Sequence, residues 1–204
     1  MKKKTTKKKQ TKNPVAVSET KVTKFLDEAK VKYRNLEHKI VYTAHDTAQT
    51  TRKKLSEIAK VVLVKVTGPE PVIARMRQPR LTETKQSRLP RSAKASLAMT
   101  DFLVLIVLPA GKYVDLTGIK KALKAKKVSM ATEKDIVSKL KTKVGLLHPF
   151  GNMYNMQTLL DKTLAKSKKI IASAGSYTHS VEIALKDFEK LVQPLKGTFS
   201  KNKR

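Results

Sequence analysis

Two uninterrupted apolar runs constrain this chain more than anything else in it. They are Ala59-Lys60-Val61-Val62-Leu63-Val64 and Phe102-Leu103-Val104-Leu105-Ile106-Val107-Leu108, the second closed by Pro109. Short, unalternating and rich in β-branched residues, both read as buried strands. The longer run is far below the roughly 20 residues that a membrane span needs.

The segments around them supply the remaining elements. From Ser18, a possible N-cap, Val22, Phe25, Leu26, Ala29 and Tyr33 fall on one helical face. Leu36 to Thr43 reads as a short strand carrying Ile40, Val41 and Tyr42, and Asp46 is placed to cap a second helix through Leu55. Asp115 opens a helix with Ile119, Ala122 and Leu123 inward, and Val128 to Met130 is a short strand. Thr132-x-x-Asp135 resembles a capping box and starts a helix containing Ile136, Val137 and Leu140. In the last third, Leu159-Leu160-Asp161, Lys169 to Ala172 and Val181 to Leu185 are strand material, and Asp187 to Val192 is a closing helix. Strands and helices alternate irregularly, which predicts a mixed α/β (α+β) domain around one sheet.

The charge narrows the partners. The 204 residues carry 45 Lys and Arg against 16 Asp and Glu, a net charge of +29. Residues 1–12 hold seven lysines and no acid, residues 68–100 seven bases and two acids, and residues 193–204 four bases. Such surfaces suit a densely anionic partner, because neutralising phosphates releases counterions. With five Tyr, five Phe and no Trp, stacking platforms for single-stranded bases have little support in composition. The segment 68–100 also holds four of the eight prolines and little periodicity, and reads as a basic insertion or mobile loop between the two core strands. The ends, 1–17 and 197–204, read as basic tails around a single domain, 18–196. The lysine-rich start has no apolar h-region and so is not a secretory signal, which leads to the expectation of a soluble, cytoplasmic protein with no membrane partner.

Several chemistries lose support. There is no cysteine, and His38, His45, His148 and His179 lack metal-ligand spacing, so no metal and no cofactor is expected. No Gly-rich phosphate loop, G-x-S-x-G elbow or HExxH occurs. Two features remain. Lys60 opens an apolar strand, where an ammonium either snorkels to solvent or points into a pocket to hold a phosphate or an aminoacyl ester. Gly145-Leu146-Leu147-His148-Pro149-Phe150-Gly151 is either a plain turn or a loop presenting backbone groups to a ligand.

Ala59-Lys60-Val61-Val62, Val144 to Tyr154, Ala174-Gly175-Ser176, Asp187-Phe188 and Leu191-Val192 occur in an order that resembles the YbaK family, the editing domains associated with prolyl-tRNA synthetase. Tyr42-Thr43-Ala44, Val114-Asp115-Leu116 and Asp161 also look like that family, and the resemblance spans roughly residues 20–196. It implies a central, largely antiparallel sheet flanked by helices. It also implies a trans-acting deacylase hydrolysing the ester of mischarged tRNA, commonly alanyl or cysteinyl on a proline tRNA. An aminoacyl-tRNA synthetase becomes a possible further partner. In that family the lysine matching Lys60 holds the charged end of the substrate, and the loop matching Gly145 to Pro149 places the ester. The resemblance extends the expected substrate-binding set to Tyr42, Thr43, Leu146, Leu147, His148, Pro149, Phe150, Gly151, Ala174 and Gly175, with Lys60 and Gly145 as the catalytic pair. Val61 replaces the family's frequent threonine, and His148 stands where relatives often carry proline or a small residue. The alternative to the enzyme is a non-catalytic basic RNA- or tRNA-binding protein on the same fold.

Overall fold

The computed structural model describes residues 20–69 and 99–202. Its spine is the pair predicted from the two apolar runs, β2 (Ala59–Pro69) and β3 (Met99–Pro109), antiparallel from Ala59 opposite Pro109 to Pro69 opposite Met99. Both strands are longer than their apolar runs, so Gly68, Pro69, Met99 and Thr100 belong to the sheet rather than to an insertion. The rest of 68–100 lies outside the described residues. Beside β2 runs β5 (Lys127–Met130), antiparallel; beside β3 run β6 (Gln157–Asp161) and then β9 (Leu195–Gly197), both parallel.

A second, antiparallel sheet orders β1 (Tyr33–Glu37), β8 (His179–Ala184) and β7 (Lys169–Ser173). It is stitched to the first where Ile58 bridges Ile171 and the Ile171 amide donates to Glu57 O at 2.9 Å. A two-stranded ribbon joins β4 (Tyr113–Val114) to β10 (Ser200–Lys201).

Strand parity sorts the core into two faces. Val62, Val64 and Val66, with Val104, Ile106 and Leu108, pack on Ile119 and Leu123 of α3 (Leu116–Ala122) and its C-cap, and on Phe199. On the opposite face, Leu63 and Leu105 meet Ile136 and Leu140 of α4 (Glu133–Leu140) together with Leu147. Ala59 and Val107 there join Val22 and Leu26 of α1 (Lys21–Glu28), Phe150, and Phe188 of α5 (Leu185–Val192). The predicted capping box forms, Thr132 with Asp135 opening α4, and a second box that the sequence reading did not foresee, Thr43 with Asp46, opens α2 (Ala44–Thr51).

Some expectations are corrected. The first helix is capped by Thr20, its last helical residue is Glu28, and Tyr33 begins β1; Ser18 lies outside the described residues. The strand expected over Leu36 to Thr43 stops at Glu37, and Ile40 and Tyr42 are exposed on a connection. Asp46 sits at the third helical position rather than capping, and α2 ends before Arg52, which takes a left-handed φ of 53°. Val137 faces solvent. Residues 197–202 are no tail. Phe199 is fully buried, and its amide donates to Asp161 Oδ2 at 2.8 Å while the Thr163 amide donates to Oδ1 at the same distance. Burial alone would raise the Asp161 pKa, but these donors, Phe199 and then Thr163, outweigh it and hold the carboxyl below its ordinary value.

Candidate active site

The site grows from a gap in the edge of β2. The Leu63 carbonyl, pointing away from β3, accepts from the Ala131 amide at 3.0 Å where β5 ends. At the other end of the gap, Ile171 docks against residues 57 and 58. Alternate residues of an antiparallel strand direct N–H and C=O to the same edge. The main chain of Val61 therefore faces outward between these two contacts.

A cavity of about 230 Å³ occupies the gap. Its floor is Ile58, Ala59, Lys60, Val61 and Ile171; Val41 to Ala44 and Thr47 form one wall, Val144, Gly145 and Leu147 another. Ser173, Ser176 and Ser180 add hydroxyls, and Ser180 Oγ lies 2.8 Å from His38 Nε2.

Gly145 carries the tightest geometry. Its φ is +87°, and a Cβ there would stand 3.0 Å from the Tyr42 carbonyl and 3.4 Å from the Tyr177 ring. The positive φ favours glycine, and the two contacts leave a side chain only a tight fit. Of the twelve residues expected from sequence, the structure brings five to this cavity: Tyr42, Thr43, Lys60, Gly145 and Leu147. Thr43 spends its hydroxyl on the Asp46 amide, 3.1 Å away.

The others serve the scaffold. Phe150 is fully buried between Phe25 and Phe188 in edge-on contacts. A Cβ on Gly151 would collide with Thr158 Oγ1 and stand 2.6 Å from Met156 O. Ala174 is buried against α1, and Gly175 (φ +79°) turns the chain between β7 and β8. Leu146 and Pro149 are not part of the cavity wall. His148 is buried and stacked on Tyr154 with ring centres 4.3 Å apart, and its desolvation pushes its pKa down to about 4. Sequence reasoning missed Tyr177, Ser173 and Ser180 and met Ser176 only inside a family motif; an aromatic set in the polar turn Ser176-Tyr177-Thr178 was the available signal.

Lys60 occupies a divided position. Its main chain belongs to the cavity floor, but parity sends its side chain to the α3 face. There the ammonium donates to the carbonyls of Ala110 and Lys112 and lies 5.2 Å from the centre of the Tyr113 ring. Burial lowers its pKa. This end of Lys60 lines a second cavity of about 550 Å³ with Val62, Tyr113, Met130 and Lys201. The structure thus places Gly145 and the Lys60 backbone at one cavity and the Lys60 ammonium at its neighbour.

Among the described residues no cluster of His, Asp and Glu is arranged to hold a metal ion, and no helix is long and apolar enough to cross a membrane. The sequence of residues 81–191 matches the model of the aminoacyl-tRNA editing domain. That stretch is more than half of the chain.

The chain belongs to the aminoacyl-tRNA editing domain family. Editing domains of this family hydrolyse the ester between an amino acid and tRNA, so the chain is a hydrolase acting on aminoacyl-tRNA. The matched stretch contains the Gly145–Gly151 loop and leaves Lys60 outside it. No curated protein gives a significant sequence match. Among solved structures, the fold is similar to that of a hypothetical protein at 16% identity and a TM-score of 0.67, covering 88% of this chain and 99% of that one. It is also similar to a structure described as a candidate trans-editing enzyme for prolyl tRNA synthetase. That match has 13% identity and a TM-score of 0.60, covering 83% and 87% of the two chains. The editing-domain fold is accordingly the one described above: a mixed α/β domain with helices packed on its sheets.

Proposed function

We propose that this editing domain acts in trans on mischarged proline tRNA, removing a small amino acid, alanine or cysteine, in the cytoplasm. The observation that carries the reading is the pairing of Gly145, held at positive φ, with the outward-facing Val61 main chain across one small cavity. An aminoacyl ester is already activated, so orientation and backbone donors aimed at the developing oxyanion supply much of the rate. In this reading the Val61 N–H and the amide of Leu147, which also lines the cavity, are those donors; the Leu146 amide is committed to Lys143 O. A water is the nucleophile: its oxygen bonds to the ester carbonyl carbon as it gives up a proton, the carbon–oxygen bond to the tRNA breaks, and the tRNA oxygen leaves with a proton.

The cavity lies below the roughly 300–1,000 Å³ of sites for drug-sized ligands, which favours a small side chain. Lys60 is the substrate-positioning residue: from the neighbouring cavity its ammonium, with Lys201 nearby in the same lining, holds a phosphate of the RNA end as a point charge. The remaining basic surface holds the acceptor stem by its phosphates. A prolyl-tRNA synthetase is the partner this reading suggests.

The test is deacylation of Ala-tRNA(Pro), Cys-tRNA(Pro) and a panel of other mischarged tRNAs by the wild-type chain and Lys60→Ala. Hydrolysis of the first two that collapses in the variant is the expected result. Activity confined to other tRNAs overturns the substrate, and full activity of Lys60→Ala overturns the role of the lysine.

A further inference from the structure

We infer that Tyr42, braced by Tyr177, is the platform on which the terminal nucleobase of the tRNA stacks while the ester on the same nucleoside enters the cavity. The inference rests on the deacylase reading above and adds the recognition of the base.

Tyr42 is 67% exposed, more than any other large hydrophobic side chain among the described residues, and Ile40 and Val144 beside the cavity are 62% and 52% exposed. Exposed apolar side chains collected at one rim mark a contact surface. The backbone of Tyr42 is nevertheless fixed: its carbonyl stands against Gly145, and the next residue caps α2. Its ring lies 5.0 Å from that of Tyr177 at 56°, so one face is supported and the rest is open to solvent. Tyr177 is itself anchored, its hydroxyl donating to Val144 O at 3.3 Å.

Substrate chemistry supplies the occupant. The ester sits on the ribose of the last nucleoside, so when the acyl group is beside Gly145 the attached base is within one sugar's reach of the rim. The cavity of about 230 Å³ receives the acyl end, and stacking on Tyr42 leaves the base at the rim beside it. Unstacked bases at RNA ends are commonly received on aromatic side chains. Composition had argued against stacking, yet a single well-placed ring is enough for a single base.

The experiment uses the full chain and an uncharged acceptor-stem minihelix ending in fluorescent 2-aminopurine, with a second minihelix whose last sugar is abasic. Stacking predicts quenching on binding and about tenfold weaker binding of the abasic RNA. It also predicts that Tyr42→Ala abolishes the quench and the preference for a base, whereas Tyr42→Phe keeps both. Removing the base from the RNA makes the outcome independent of how any variant folds. Binding without quenching, or equal affinity for the two RNAs, overturns the platform and leaves the deacylase reading intact. Failure of the wild-type chain to bind either RNA overturns both.

Discussion

The Tyr177 hydroxyl donates to the Val144 carbonyl across 3.3 Å, while the Tyr177 carbonyl accepts from the Val41 amide at 2.9 Å. One residue of the β7–β8 turn thus holds the glycine loop with its side chain and the Tyr42 segment with its main chain. Two walls of the cavity, far apart in sequence, are tied through it. A cavity whose walls are irregular backbone needs such ties, because loops lack the ladder that keeps strands in register.

Gly145→Ala tests whether the loop geometry matters. A left-handed φ costs a residue with Cβ about 1 kcal/mol or more, and the new methyl would press on the Tyr42 carbonyl. Displacing the loop should lower kcat/KM for deacylation by about tenfold or more, since small misplacements of reacting groups are costly. The melting temperature should move by only a few degrees. Unchanged kcat/KM would remove the loop from the mechanism.

Tyr177→Phe removes one hydroxyl and keeps the ring beside Tyr42. A typical hydrogen bond contributes about 1 kcal/mol, so single-turnover deacylation should slow roughly fivefold. Binding of the uncharged minihelix should stay close to wild type. A loss of binding without a loss of rate would contradict the proposed division of labour.

His148 makes folding pH-dependent in a defined direction. Buried, it titrates near pH 4 rather than 6.5, so in the unfolded chain it takes up a proton that the folded chain refuses. Stability contributed by the neutral ring is complete above pH 6.5 and is lost as pH falls toward 4, by about 3 kcal/mol in total. Urea unfolding at pH 7 and pH 4.5 should show this loss, and His148→Phe should lessen it. The same burial predicts that His148 adds no inflection to the deacylation rate between pH 6 and 8.

Asp161 ties β6 to the C-terminal segment through the Phe199 and Thr163 amides. Asp161→Ala leaves the buried Phe199 amide and the half-buried Thr163 amide without that acceptor and should cost about 2–4 kcal/mol in urea unfolding. Its depressed folded pKa means its contribution is present above the unfolded value near 4 and is lost as pH falls through the folded one. If limited proteolysis of the variant releases nothing from residues 195–202 sooner than in wild type, the anchor is misassigned.

Much of this protein was already present in its sequence. The runs Ala59–Val64 and Phe102–Leu108 specify the central strands because nothing but a doubly covered sheet buries such stretches. Thr132 with Asp135 specifies a helix start because its capping bonds are local. The motif order pointed to the editing family, whose model matches residues 81–191. Tertiary structure decided the rest. Sequence cannot say on which face of β2 the Lys60 ammonium emerges relative to Gly145, since that depends on strand register and on which elements cover each face. Nor does it say that Val61 faces outward: Ile171 and Ala131 dock on either side of it. Phe150, Gly151 and Ala174 carry the look of site residues but are buried in packing, while Tyr177, with no motif of its own, comes to lie beside Gly145 and Tyr42 because β8 pairs with β1 and β7. Local chemistry is written along the chain; the cavity is made of contacts between distant parts of it, and those exist only once the sheets have docked.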